Sequence, residues 1–249
     1  MQTYSSKNSG QSSAVIQSRQ ESLPSFRFIN GLEVASVIAS VFITTWVLIP
    51  LQPEPRFLIA LPGLFATALV LNSHRVRRER FAEVGLSLRN FGRALRLLTP
   101  PTLLVCLIVM VIGFTAHSFH QTSHFGATII VVPIWALIQQ YVLQAFIFRR
   151  MCWLLASPTA PLEEGKRQTR WAILATAVIF SLAHLPNPML MFLTLLGAVL
   201  WSWVYDRAPN LIALALSHAI ISLVLMTSMP PWFLPSMSVG YKHFLYQKF

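Results

Sequence analysis

Charge is what this chain has least of. Only 11% of its 249 residues are charged and 8 are acidic, while 55% are hydrophobic. A soluble domain carries about 25% charged residues, so a water-soluble enzyme is excluded. Cysteine is almost missing. Cys106 and Cys152 are the two present, too few for a disulfide framework or a cysteine-rich metal site. Both lie in or beside apolar runs and read as small buried hydrophobes. Residues 1–30 lack the apolar stretch of a signal peptide. Rich in Ser and Gln, they are expected to form a hydrophilic tail, disordered or lying on a surface.

What is abundant is apolar runs approaching the roughly 20 residues that span a bilayer. They predict an all-α, polytopic transmembrane bundle of about seven spans over 31–229, followed by an aromatic tail, 230–249, lying in the interface. The spans are 34–51, 57–71, 101–115, 127–155, 170–184, 189–205 and 211–226. The first two form a tight hairpin around Gln52-Pro53-Glu54-Pro55. Residues 73–100 hold seven arginines, with Leu86, Leu88, Phe91, Leu95 and Leu98 at near-helical spacing. They read as an interfacial amphipathic helix or a solvated basic loop.

The net charge of +11 raises the question of nucleic acid, but the basic residues sit between apolar runs, where the positive-inside rule accounts for them. With the N-terminus in the cytoplasm, only Arg56, Lys242 and Lys248 of the 19 Lys and Arg fall outside. The expectation is an N-in, C-out protein of the cell membrane, with the bilayer and no nucleic acid as partner.

Polar side chains within spans are costly and mark function by default. Counting 1.5 Å per residue from the cytosolic turns places Gln144 about 21 Å deep, His184 about 24 Å and His218 about 18 Å. Three distant segments thus bring polar groups to similar depth, which predicts a shared intramembrane cavity. Phe180 and His184 share a helix face, as do Gln140 and Gln144, and His218 and Ser222. As structural elements, these groups would only cross-link helices. His117, His120 and His124 are three loop histidines with metal-ligand potential if helical, though solvated residues are the simpler reading. Glu163-Glu164 reads as a loop pair unrelated to the cavity.

Gln144-Ala145-Phe146-Ile147-Phe148-Arg149, Phe180-xxx-His184 and His218 resemble the three motifs of the CPBP family of intramembrane proteases. This family includes CAAX prenyl endopeptidases, bacteriocin-processing proteins and lysostaphin-resistance proteins. The text around them fits as well: Leu185-Pro186-Asn187-Pro188, Gly197, and Val204-Tyr205-x-Arg207-x-Pro209-Asn210-Leu211. The resemblance covers about 133–225. It implies a membrane endopeptidase in which a glutamate activates water while histidines and an asparagine bind the water and stabilise the oxyanion. His184, His218, Arg149 and Phe180 match the motif positions.

The two glutamates of the pattern fall on Gln144 and Ala145, and the asparagine on Ser222. An amide is no general base. No Asp or Glu lies within the proposed spans, so Arg149 is expected to be satisfied by carbonyls or water. The candidate catalytic set is His184, His218, Gln144, Arg149 and Ser222, with His184 or His218 as base and a membrane-associated peptide or protein as substrate. A divalent metal such as zinc, if used, would fall to His184 and His218. The alternatives are an inactive relative that binds membrane peptides as a scaffold or immunity protein, and a small transporter. The spans show no inverted repeat to support a transporter.

Overall fold

The computed structural model describes residues 26–120, 125–156 and 162–246. The chain is all-helical over these residues, with no strand. In chain order the helices are α1 (Phe26–Leu51), α2 (Arg56–Val76), α3 (Phe91–Thr115), α4 (Phe125–Leu155), α5 (Leu162–Leu182), α6 (Pro188–Arg207), α7 (Leu211–Ser228) and a short α8 (Tyr241–Tyr246). Six of them, all but α5 and α8, are long and apolar enough to cross a membrane. The chain is a multi-pass membrane protein. The expected seventh span is α5, 21 residues long. Lys166, Arg167 and Arg170 occupy its first half, leaving an apolar stretch too short to cross alone.

Several boundaries differ from the sequence reading. α1 reaches back to Phe26, so residues 26–30 of the expected tail are helical; residues 1–25 lie outside the described residues. No interfacial helix runs from Leu86 to Leu98. Residues 77–90 are a chain of turns, and α3 continues unbroken from Phe91 through Pro100 and Pro101. Membrane helices tolerate internal prolines because neighbouring groups satisfy the freed carbonyls. The backbone of Glu163 and Glu164 belongs to the start of α5, not to a loop; their side chains lie outside the described residues, as does His124.

α7 is the central helix. Half of its apolar window is enclosed by protein, against 17% for α1 and for α2. It packs against α3 and α4, while α5 and α6 form the tightest pair. Two asparagines start helices in the same way. Asn187 Oδ1 accepts from Leu190 N at 3.1 Å to open α6, and Asn210 Oδ1 accepts from Ala213 N at 2.9 Å to open α7. Each supplies an acceptor for an orphan first-turn donor.

The α5–α6 turn, residues 183–187, is covered by the chain that follows α7. Gly240 N donates to Leu185 O at 2.7 Å, and Asn187 Nδ2 donates to Ser236 O at 2.8 Å. Irregular backbone between membrane helices must find such partners within the protein. Gly240 has φ +59°, and a Cβ there would lie 2.6 Å from Thr45 Cβ, so only glycine fits between this strap and α1. The expected interfacial tail is therefore, at least over 229–240, a strap across the helix ends.

Candidate active site

His184 stands where α5 ends. His184 N turns back to Ser181 O, so the Phe180 carbonyl loses its usual backbone donor. The imidazole takes that place, with Nδ1 2.7 Å from Phe180 O. A carbonyl can only accept, so Nδ1 carries the proton and Nε2 keeps its lone pair. The four-residue spacing of Phe180 and His184 thus caps a helix and fixes a tautomer together. The Phe180 ring packs edge-on against both histidines, 4.7 Å from His184 and 6.2 Å from His218 between centroids.

His218 is held from two sides. Its ring stacks on Trp201 at 4.3 Å. That indole is fixed in turn by Nε1 donating to Ser217 Oγ at 3.2 Å, and Ser217 Oγ is paired with Thr102 Oγ1 at 2.8 Å. Gly197 makes room for it: a Cβ there would sit 2.9 Å from the Trp201 ring. On the other side Gln140 Nε2 lies 3.2 Å from His218 Nδ1. With the amide nitrogen donating, His218 is the Nε2–H tautomer. One ring then offers a proton acceptor and the other a donor, the complementary pair that general acid–base chemistry requires.

Both histidines line a cavity of about 310 Å³ enclosed by α3, α4, α6, α7 and the strap. Ser222 lines it as well, with no hydrogen-bond partner among the described residues. A second cavity of about 350 Å³, between α1, α2, α4 and α5, reaches His184 from the other side. The structure thus brings His184, His218 and Ser222 to one cavity.

Gln144 is placed differently. It is fully buried, lines neither cavity, and both of its amide atoms are without a partner among the described residues. The polar contact to His218 comes from Gln140, one turn earlier. A buried amide without partners costs stability. Gln144→Met is expected to leave the protein as stable or to raise stability by about 1 kcal/mol, measured by thermal unfolding in detergent. A large loss would mean that the amide is bonded in the folded protein.

No group of three or more His, Cys, Asp or Glu converges among the described residues. His184 and His218 supply two nitrogens, short of the three protein ligands of a catalytic zinc. His117 and His120 gather no further ligands. The residues present do not fit a metal centre.

Arg149 is satisfied by a group the sequence reading overlooked. Its Nε and Nη2 lie 3.1 and 2.6 Å from Glu79 Oε1, and Nη1 donates to the Glu83 carbonyl at 3.4 Å, so the expected carbonyl is present but a carboxylate supplies the shorter contacts. Glu79, in the turns after α2, also accepts from His74 Nδ1 at 2.6 Å and from Arg150 Nη2 at 3.0 Å. Glu33 on α1 extends the knot: Arg77 Nη1 donates to Glu33 Oε1 at 2.9 Å, and Arg150 Nε lies 3.4 Å from Oε2. The Trp153 ring lies under the Arg150 guanidinium at 4.5 Å. Burial pushes the Glu79 carboxyl up, but hydrogen bonds from His74, Arg150 and Arg149 outweigh it and hold the group well below the usual carboxylate range.

The same turns dock on the start of α7. Tyr205 OH donates to Val84 O at 3.0 Å, Asn210 Nδ2 to Ser87 O at 2.7 Å, and Leu211 N to Gly85 O at 2.9 Å. The Tyr205–Leu211 text therefore anchors the helix that carries His218.

Residues 123–224 match the family model described as type II CAAX prenyl endopeptidase Rce1-like. This segment is similar to that family. It coincides closely with the 133–225 stretch that carries the sequence resemblance and contains Gln140, Arg149, His184, His218 and Ser222. No curated protein and no solved structure matches the chain. Glu79 and Glu33, which complete the surroundings of Arg149, lie outside the Rce1-like segment.

Proposed function

We propose that the protein is an intramembrane endopeptidase that hydrolyses peptide bonds of a membrane-associated protein or peptide. The observation that carries this reading is the complementary pair of histidines at one cavity. His184 Nε2 takes a proton from water. The resulting hydroxide attacks the peptide carbonyl, and His218 Nε2–H and the Ser222 hydroxyl donate to the developing oxyanion. The proton then passes from His184 to the departing amine nitrogen, leaving a carboxylic acid and an amine. Arg149 positions α4 through Glu79 and does not touch the reacting atoms. The N-terminus lies in the cytoplasm at the cell membrane, as the distribution of Lys and Arg suggests; a C-terminus outside requires α5 to complete a seventh crossing against α6.

A second reading is favoured by one observation: neither cavity is lined by a carboxylate. An inactive relative that binds membrane peptides as a scaffold or immunity factor needs none. A cleavage assay on reconstituted protein with a quenched peptide library separates the two. Cleavage by the natural chain is the expected result. Cleavage only after Gln144→Glu and Ala145→Glu together would identify the natural chain as an inactive relative.

A further inference from the structure

The two cavities share Trp135, Gln139, His184 and Val239. They lie on opposite sides of that quartet, one walled by α3, α6 and α7 and the other by α1 and α2. None of the residues lining either cavity is Asp, Glu, Lys or Arg. The polar groups at the junction are an amide, an imidazole and the indole N–H of Trp135. Gln139 has no hydrogen-bond partner among the described residues, so it offers both an N–H₂ donor and a carbonyl acceptor there.

We infer that the two cavities form one charge-free groove for an internal, extended, apolar segment of a membrane peptide. Its backbone amide pairs with Gln139 at the junction, and its side chains fill a cavity on either side. This deepens the endopeptidase reading by naming the class of substrate. Three features fix the occupant. Space on both sides of His184 suits a chain that passes through, not one that ends there. A chain terminus, or a Lys or Asp side chain, would be desolvated with no counter-ion. A primary amide matches a peptide group donor for acceptor, whereas a lipid chain has nothing to bond it.

The test is equilibrium binding to the purified full-length protein in detergent, read by fluorescence anisotropy. The probe is a short labelled peptide of Leu, Val and Ala with both ends blocked. The expected result is saturable binding that weakens about tenfold or more when a Lys or Asp replaces the central residue or when the chain ends there in a free carboxylate. Gly63→Phe fills the second cavity at a position where a Cβ meets nothing within 4 Å. Val132→Trp fills the first. Each substitution should weaken binding by a similar factor. Equal affinity for charged and neutral peptides would overturn the inference. So would an effect from only one filled cavity, or binding of alkyl chains without peptide. Product is read separately in the same samples by chromatography. Binding without product sinks the hydrolysis and leaves the groove standing; product without discrimination against charge does the reverse.

Discussion

Glu79→Ala is expected to cost the protein about 3–5 kcal/mol of stability, the range for removing one partner of a buried ion pair. Glu79 is 5% exposed and the Arg150 side chain 0%, so no water reaches the arginine to replace the lost carboxylate. Glu33 compensates only partly, because its Oε2 stands 3.4 Å from Arg150 Nε and already accepts from Ser73, while Oε1 serves Arg77. The measurement is thermal unfolding in detergent, with a drop in midpoint on the order of 10 °C expected for a chain of this size. Glu83→Ala is the control: Glu83 is exposed, and its loss should change little. An unchanged midpoint for Glu79→Ala would mean that the knot adds nothing to the fold. The sign of the pH dependence follows from the depressed carboxyl. A group more acidic in the folded state stabilises above its unfolded pKa, about 4.3. That contribution is lost as pH falls from there through the folded-state value. The midpoints of wild type and Glu79→Gln should therefore converge as the pH drops below about 4.

His184→Ala is expected to lower peptide cleavage by about 10²–10⁴-fold, the usual contribution of a general base. The alanine variant also removes the donor to Phe180 O, so lost activity alone could reflect a frayed α5. His184→Gln separates the two effects. Its amide N–H₂ can still reach the carbonyl, but an amide has no proton-accepting nitrogen. Cleavage should be lost in both variants, while the unfolding midpoint falls more for alanine. Cleavage retained by the glutamine variant would remove His184 from the chemistry and leave it as a helix cap.

The membrane bundle and the meeting of Phe180, His184 and His218 were legible because they rest on local periodicity and depth. The glutamine face was less so. Pairing Gln140 with Gln144 assumes 3.6 residues per turn, but residues 141–148 wind as a π-helix. Its wider i→i+5 turn shifts Gln144 to the other flank of Gln140 from the one an α-helix would give, and Gln140 alone of the two meets His218. Composition gives no sign of such a turn. Arg149's partner was hidden for another reason. Glu79 lies 70 residues earlier in a stretch whose arginines suggested a lipid surface, and only tertiary packing brings it to α4. Pro100-Pro101 read as the end of one segment, whereas α3 runs through them.

The ionic knot also bears on the order in which the protein is made. Glu33, His74, Arg77, Glu79, Arg149 and Arg150 are all synthesised before the first histidine of the cavity. The ends of α1, α2 and α4 that carry the knot can therefore lock together while α5, α6 and α7 are still emerging, in keeping with N-terminal parts folding first during synthesis. The later helices then insert against a fixed wall. A chain truncated after residue 156 should carry the complete knot and none of the chemistry, making it a biogenesis intermediate that can be isolated by its resistance to proteolysis.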